Sequence, residues 1–334
     1  FPELTQLCAS RGARFQAVDL RWGVNEESQL DHETMDICLG EIERCQRLSP
    51  KPNFLVLLGE RYGWEPVPAR IPSSEYEPLR AEATTAQGVL LDRWYVRDDN
   101  AVPPHHALKR RDEDFDEYHE WAPEEAKLRE AVRDLVNQTG LEGEARDKYF
   151  HSATHQEIAR GALSLPTVPD NTIDPAEHVL ACFRTIEGLP QEPNTFFDDR
   201  AEQLSALRMQ LRDRLSETDE STDNVYEYGA TWKPTDSDDI ALTDESAFAA
   251  RVLRQMGGGV KEALAVPLAQ LIVGQHVVSP FCVPGSLSGS CKEIMCLVCR
   301  ARGFAQAQSR QTYLSSMKAC MPSAAPSRPT PDCF

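Results

Sequence analysis

The stretch Asn53–Pro66 (NFLVLLGERYGWEP) decides the fold of this 334-residue chain. Its first residue is followed by an unbroken apolar run, which is typical of a β-strand covered on both faces. Gly59 ends the run, and charged and aromatic residues follow it. An earlier stretch, Phe15–Trp22 (FQAVDLRW), is also rich in strand formers and predicts a second strand.

The residues between these two strands predict a helix that begins near Asp31 and ends before Pro50, after a polar loop over Asn25–Asp31. Its apolar positions recur at helical spacing on one face: Met35, Cys38, Leu39, Ile42 and Cys45. Strand, helix and strand in this order predict a parallel βαβ unit. We therefore expect an α/β fold with a doubly wound parallel sheet, opened by a short helix over Pro2–Ser10.

Three regions follow from the pattern along the chain. Residues 1–123 are expected to form the α/β domain, with its first strand missing before Phe1. The polar stretch RDDNAVPPHH (97–106) is expected to be a loop within it. In residues 124–276 apolar positions recur three and four apart, which predicts a mostly helical region. Residues 277–334 are rich in Cys, Pro and Ser without periodicity, and we expect a disordered, unstructured tail.

Composition excludes several classes of function. The chain has 53 acidic and 35 basic residues, a net charge of -18, so it is expected to repel nucleic acids and anionic lipid headgroups. No apolar stretch reaches the roughly 20 residues that a membrane-spanning helix needs. Sparse, unpatterned cysteines in residues 1–276 are typical of a reducing compartment, which predicts a cytosolic protein with protein or small-molecule partners.

Several motifs resemble the N-terminal region of the NACHT and WD-repeat proteins. They are VDLRWG (18–23), ICLGEIERC (37–45), LLGERYGWEP (57–66), LDRWYVRDDNAVPP (91–104) and YFHSATHQEIARG (149–161). The resemblance implies a flavodoxin-like or TIR-like sheet, incomplete here, in a large intracellular signalling ATPase of the STAND type. In that family a nucleotide-binding NACHT module and a C-terminal β-propeller follow this region.

This resemblance implies a non-catalytic interaction and regulatory region of a signalling scaffold, with protein partners that include the NACHT module. ATP and magnesium are expected only of that module, and no cofactor is expected in this chain. A phosphate-binding loop needs the order G-x-x-x-x-G-K-[ST]. The nearest match, GSLSGSCKE (285–293), departs from it because Lys292 stands three residues after Gly289 and is followed by Glu293.

One edge of the predicted sheet collects charged and aromatic residues. Ligands of parallel sheets bind beyond the carboxyl ends of the strands. The residues expected at this rim are Asp19, Arg21, Trp22, Glu60, Arg61, Tyr62 and Trp64. Two hypotheses stay open. In one, the rim is a nucleotide pocket of a TIR-like NAD-consuming effector, with Glu60 or Glu41 as the catalytic residue. In the other, Arg21 pairs with Glu60 and the tryptophans pack beneath the loops, so that the rim only stabilises the fold.

A third hypothesis is a non-functional truncated product, because an incomplete sheet leaves an aggregation-prone edge. Metal binding is not predicted. Zinc needs four ligands, and the tail offers a single C-x-x-C pair, Cys296 and Cys299, with Cys291, Cys320 and Cys333 as isolated further thiols. His151 and His155 stand four apart on a predicted helix, which is ligand spacing but also ordinary helix surface.

Overall fold

The computed structural model describes residues 2–11, 13–20, 26–48, 52–112, 114–163, 178–190, 197–216, 224–233, 239–242 and 294–301. The helices are α1 (Pro2–Ser10), α2 (Glu26–Leu30), α3 (Thr34–Leu48), α4 (Ser73–Glu82), α5 (Thr85–Trp94), α6 (Tyr118–Thr139), α7 (Glu144–Phe150), α8 (Ala153–Ile158) and α9 (Ala201–Ser216). A π-helical turn, Ala159–Leu163, continues α8. The strands are β1 (Ala13–Asp19), β2 (Phe54–Leu58), β3 (Arg70–Pro72), β4 (Tyr95–Asp98), β5 (His105–Leu108), β6 (Val179–Glu187), β7 (Val225–Lys233), β8 (Asp239–Leu242) and β9 (Ile294–Ala301).

The main sheet has the strand order β1-β9-β2-β6-β7-β8. Strands β2, β6 and β7 are parallel neighbours, whereas β8 and β9 run antiparallel to theirs. The prediction of an α/β fold built on a parallel sheet is confirmed. The predicted helix between the first two strands is α3, although it begins at Thr34 rather than at Asp31, and the short α2 occupies the predicted polar loop before it.

Strand β2 is buried on both faces, as its continuous apolar run predicts. On one face Leu55 packs with Leu4 and Cys8 of α1, and on the other Val56 packs with Ile42 of α3. Successive residues of a strand point to opposite faces, so a strand covered by helices on both sides has no position for a polar side chain. The opening helix over Pro2–Ser10 is confirmed as α1.

A second, antiparallel sheet of order β3-β5-β4 packs under helices α4 to α6 around its own apolar cluster. Strands β4 and β5 form a hairpin in which Asp98 faces His105, so the prediction of a loop over residues 97–106 is wrong at both ends. Only the residues between the two strands, 99–104, lie outside regular structure. His106 and Leu108 are buried in this hairpin because alternate residues of β5 face the helices.

Residues 124–276, the predicted helical region, supply three strands of the main sheet, β6, β7 and β8, in addition to helices. Residue 124 lies inside α6, so no boundary between elements falls there. The strand β6 reads VLACFRTIE, and its first five residues are buried because helices cover both faces of the sheet. The division into three domains is otherwise untested and stays a prediction.

Within the predicted tail, residues 294–301 form strand β9, whose run of Ile, Met, Leu and Val favours extended structure. The other residues of 277–334 lie outside the described part of the chain. Across the described ranges, no helix is both long enough and apolar enough to cross a membrane.

Candidate functional site

The segment Gly59–Pro66, called the rim loop below, leaves the carboxyl end of β2 beside the end of β6. Its first charged residue, Glu60, accepts a hydrogen bond from the backbone N–H of Ile186 on β6 at 3.2 Å. The guanidinium of Arg208 on α9 lies 3.6 Å from the other carboxylate oxygen. Arg208 also donates to the carbonyls of Gly59 and Arg184, at 2.7 and 2.8 Å. Both oxygens of Glu60 are therefore engaged in joining two strand ends to a helix.

The centre of the rim loop is bound through its backbone. Asp198, just before α9, accepts hydrogen bonds from the N–H groups of Tyr62 at 3.3 Å and Gly63 at 3.0 Å. The guanidinium of Arg61 lies 4.0 Å from the same carboxylate. Gly63 has a φ of 97°, a conformation that side chains with a Cβ rarely adopt, which explains the glycine within the motif.

The Tyr62 side chain points into the protein and is 2% exposed. Its hydroxyl lies 2.8 Å from Nδ1 of His155 on α8 and also accepts from the backbone N–H of Ser152 at 3.4 Å. The rings of His155 and His151 stack at 3.6 Å. Burial lowers the pKa of His155 to about 3 and raises the pKa of Tyr62. Both groups are thus neutral near pH 7 and form a neutral hydrogen bond.

The end of the rim loop contacts α6. The indole N–H of Trp64 donates to the carboxylate of Glu125 at 3.0 Å, and burial raises the pKa of that acid. Glu65 accepts from Arg133 on α6 at 3.1 Å and lies 3.5 Å from Arg200. These two arginines come from different parts of the chain, so Glu65 joins α6 to the start of α9.

The rim loop is therefore a junction between the main sheet and helices α6, α8 and α9. The structure brings four of the predicted rim residues together here: Glu60, Arg61, Tyr62 and Trp64. Asp19 ends β1, where its register partner is Met295 of β9. Arg21 and Trp22 lie outside the described residues, so the predicted pair between Arg21 and Glu60 is not tested.

Glu41, the other catalytic candidate, lies in the middle of α3. Its carboxylate pairs with Arg44 one turn later on the same helix rather than with a residue of the rim loop. Burial raises its pKa, and the neighbouring guanidinium opposes that shift. The two candidate glutamates thus belong to separate settings, one on a helix and one at a strand end.

The described residues contain no group of three or more His, Cys, Asp and Glu side chains able to hold a metal ion. His151 and His155 stack on each other, and the second is bonded to Tyr62. Cys296 and Cys299 both belong to strand β9. The other three thiols considered for zinc, Cys291, Cys320 and Cys333, lie outside the described residues.

Sequence reasoning missed the partners of the rim loop. They lie 60 to 150 positions further along the chain, chiefly Glu125, Arg133, Asp198 and Arg208. One signal was available for Arg208, because it stands on the apolar stripe of α9 formed by Leu204, Leu207, Leu211 and Leu215. A charged residue on a buried stripe needs a partner, although the sequence does not say which one.

Comparison with known proteins confirms the resemblance suggested by the motifs. About half of this chain resembles the NACHT and WD-repeat proteins. It is 37% identical over 170 residues to NACHT domain- and WD repeat-containing protein 1 of Mus musculus, covering 49% of this chain and 11% of that protein. The human protein of that name is 34% identical over 163 residues, 47% of this chain and 10% of the relative.

A second NACHT and WD-repeat relative, NACHT and WD repeat domain-containing protein 2 of Mus musculus, is 35% identical over 114 residues. That match covers 33% of this chain and 6% of the relative. The chain therefore spans about a tenth or less of the length of these NACHT and WD-repeat proteins. No protein-family model and no solved structure matches it.

Proposed function

We propose that this chain is a non-catalytic interaction and regulatory region of a cytosolic signalling scaffold of the NACHT and WD-repeat type. One observation carries the proposal: the rim loop is bonded to the sheet and to three helices, so its polar residues are used within the protein. The similarity to NACHT and WD-repeat proteins over half of the chain supports it. The partners would be proteins, among them a NACHT module, which would supply the ATP and magnesium site.

The mechanism would be mechanical coupling between helices that the rim loop joins rigidly. Helices α6 and α9 and the main sheet are joined at one loop by partly buried hydrogen bonds and ion pairs. Glu65, for example, is 9% exposed. A partner that contacts one of these helices would therefore move the others with it, so that a change at one helix reaches the others through contiguous contacts.

A binding experiment tests this function. The full chain would be titrated against the purified NACHT region and, separately, the WD-repeat region of the mouse relative, by calorimetry. We expect saturable binding to the NACHT region, weakened by Glu65→Gln, which removes the charge that joins α6 to α9. The matched control is Glu43→Gln. Glu43 lies on α3 and forms an ion pair with Arg160 at the surface. Absence of binding to both regions would contradict the proposal.

The enzymatic alternative has its own test at Glu60. Because both carboxylate oxygens of Glu60 are occupied, we expect the chain to consume no NAD, with or without Glu60→Gln. Turnover by the natural chain that is lost in Glu60→Gln, and kept in Glu41→Gln, would instead establish the NAD-consuming effector. Low soluble yield with strong binding of an apolar dye would favour the third hypothesis, a non-functional product.

A further inference from the structure

A buried arginine that follows β5 has hydrogen-bond donors that the protein does not use. Arg111 is 6% exposed, and its Nε and Nη1 atoms have no hydrogen-bond partner within the described ranges. Its backbone N–H donates to the carbonyl of Leu30, at the end of α2, at 3.1 Å, which fixes its position. A guanidinium keeps its charge even when it is buried, so unused donors of this kind favour an anionic acceptor.

Tyr118, the first residue of α6, is the most accessible tyrosine of the described residues. It is 38% exposed. The other described tyrosines are buried or half-buried: Tyr62, Tyr76, Tyr95, Tyr149, Tyr226 and Tyr228. A modifying enzyme therefore reaches the ring of Tyr118 more readily than the others.

Three guanidiniums lie near the Tyr118 hydroxyl. Burial raises the pKa of Tyr118 to about 12, and the charge of Glu125 adds to the rise. The positive charges of Arg129, Arg111 and Arg61 oppose that rise, which shows that they act on this hydroxyl from close by. Arg129 stands about three helical turns after Tyr118 on the same face of α6. Its Nη1 donates to the carbonyl of Glu65 in the rim loop at 2.8 Å.

The segment that joins Arg111 to Tyr118 is acidic but held in place. Its exposed residues include Asp112, Asp114, Asp116 and Glu117. The backbone N–H of Phe115 donates to the carbonyl of Asp112 at 2.8 Å, and the Phe115 ring packs edge-on against Trp94 and Trp121 at 5.2 and 6.2 Å. Charge patterns around the acceptor residue are what protein kinases use to recognise their substrates. A tyrosine preceded by exposed acids is such a pattern.

We propose that Tyr118 is a phosphorylation site for a protein tyrosine kinase, and that the guanidiniums of Arg111, Arg129 and Arg61 hold the phosphate. In the transfer the phenolic oxygen attacks the γ-phosphorus of ATP and the bond to the bridging oxygen breaks. ADP leaves, and the phenolic proton passes to a base of the kinase. The phosphate brings about two negative charges and three acceptor oxygens to donors that Arg111 leaves unused.

The position in the helix also favours a phosphate. Negative charge is stabilised at the amino-terminal end of a helix, and Glu117, the N-cap of α6, makes no side-chain capping bond. Because Arg129 also bonds to the rim loop, a phosphate that attracts Arg129 would act on the loop that joins the helices. Phosphorylation would thereby regulate this junction.

Two kinds of negative charge oppose the phosphate, and neither outweighs the three guanidiniums. Asp116 and Glu117 are exposed, so water and salt screen their charges. Glu125 is buried and accepts a hydrogen bond from Trp64, and burial raises its pKa, which lowers the fraction that is ionised. Arg111 is buried as well, so its attraction for a phosphate is screened less than the repulsion by the exposed acids.

The first test asks whether the folded chain is a substrate. The full natural chain would be incubated with MgATP and a purified tyrosine kinase already shown to phosphorylate a peptide of residues 110–122. We expect tandem mass spectrometry to find phosphate at Tyr118, and Tyr118→Phe to lose most of the incorporated phosphate. The matched control is Tyr228→Phe, at a half-buried tyrosine of β7, which should incorporate as much as the natural chain. No phosphate at Tyr118 of the folded chain would overturn the proposal.

The second test asks whether the arginines hold the phosphate. Phosphotyrosine would be introduced at position 118 of the full chain during translation, and its second pKa, near 6 in the free group, followed by phosphorus NMR. We expect this pKa to be about one pH unit lower in the folded chain than in the same chain in concentrated urea. Arg111→Gln should reduce the difference. The matched control, Arg110→Gln, alters an exposed residue that pairs with Asp31 at 2.7 Å and should leave the difference unchanged.

An equal pKa in the folded and the unfolded chain would overturn the capture of the phosphate, as would equal effects of Arg111→Gln and Arg110→Gln. The first of these comparisons uses one molecule in two states, so it does not depend on whether a variant folds. Both tests are also independent of the binding to a NACHT region that tests the proposed function.

Discussion

Strand β2 and the rim loop are consecutive in the chain, yet different forces hold them. The strand is buried by apolar contact with helices on both faces, and the loop by hydrogen bonds and ion pairs with residues of α6, α8 and α9. Apolar burial is non-directional, so the strand needs only residues of suitable size. The polar contacts of the loop depend on distance and angle, so they determine which helices it joins. The strand thus stabilises the sheet, and the rim loop that directly follows it orients the helices around that sheet.

The largest expected effect is in the strand. Leu55 is 2% exposed, and Leu55→Ala should lower the free energy of unfolding by about 2–5 kcal/mol through lost burial and the cavity it leaves. Urea denaturation of the natural chain and the variant measures this difference in the free energy of unfolding. The matched control is Val89→Ala on α5, where the side chain is 66% exposed, and its effect should stay within about 0.5 kcal/mol. Similar losses for both variants would show that β2 is not in the core.

The strand can also be perturbed from the helix that packs on it. A Cβ added to Gly161, in the π-helical turn, would overlap the ring of Phe54. Gly161→Ala should therefore destabilise the protein by about 1–3 kcal/mol, as overpacking does. Gly40 in α3 has open space, and Gly40→Ala should instead stabilise by about 0.5–1 kcal/mol because alanine favours the helix. Opposite shifts in melting temperature would confirm both, and a stabilising Gly161→Ala would contradict this packing.

In the rim loop the comparable change is Glu65→Gln. It leaves Arg133 without its ionic partner, and we expect a loss of about 1–2 kcal/mol, less than for a fully buried pair because Arg200 is partly exposed. High salt should reduce this loss only slightly. By comparison, Glu43→Gln breaks an exposed pair with Arg160 and should cost about 0.5 kcal/mol or less. If urea denaturation gave equal losses of unfolding free energy for Glu65→Gln and Glu43→Gln, the ion pairs of Glu65 would not be what holds the loop.

The smallest effect is a dependence on pH through His155. Its folded pKa is about 3, whereas an unfolded histidine titrates near 6.5, so the unfolded chain binds more protons between these values. The stability that depends on neutral His155 is fully present above about pH 6.5, and it is lost as the pH decreases towards 3. Between pH 7.5 and 5.5 the natural chain should lose about 1 kcal/mol more than His155→Gln. Exposed His119→Gln is the control and should behave like the natural chain; equal pH slopes for all three would exclude His155 as the cause.

The strand and the loop also differ in how far the sequence predicts them. The apolar run of β2 and the helical spacing of Cys38 and Ile42 predict the strand, the helix and their packing, because both patterns repeat within a few residues. The motif residues Glu60, Tyr62 and Trp64 were placed at the end of β2 for the same reason. Their partners were not predicted, because which distant helix approaches a loop depends on the packing of the whole chain.

Local pattern was therefore sufficient for the α/β class, for the opening helix and for the place of the rim loop. Packing in three dimensions was needed for the contacts of Glu60 with Arg208 and of Tyr62 with His155, and for the position of β9 between β1 and β2. The physical reason is the distance along the chain over which each signal acts. Periodicity records which face of an element is buried, whereas a hydrogen bond or a strand pair joins residues whose separation along the chain carries no signal.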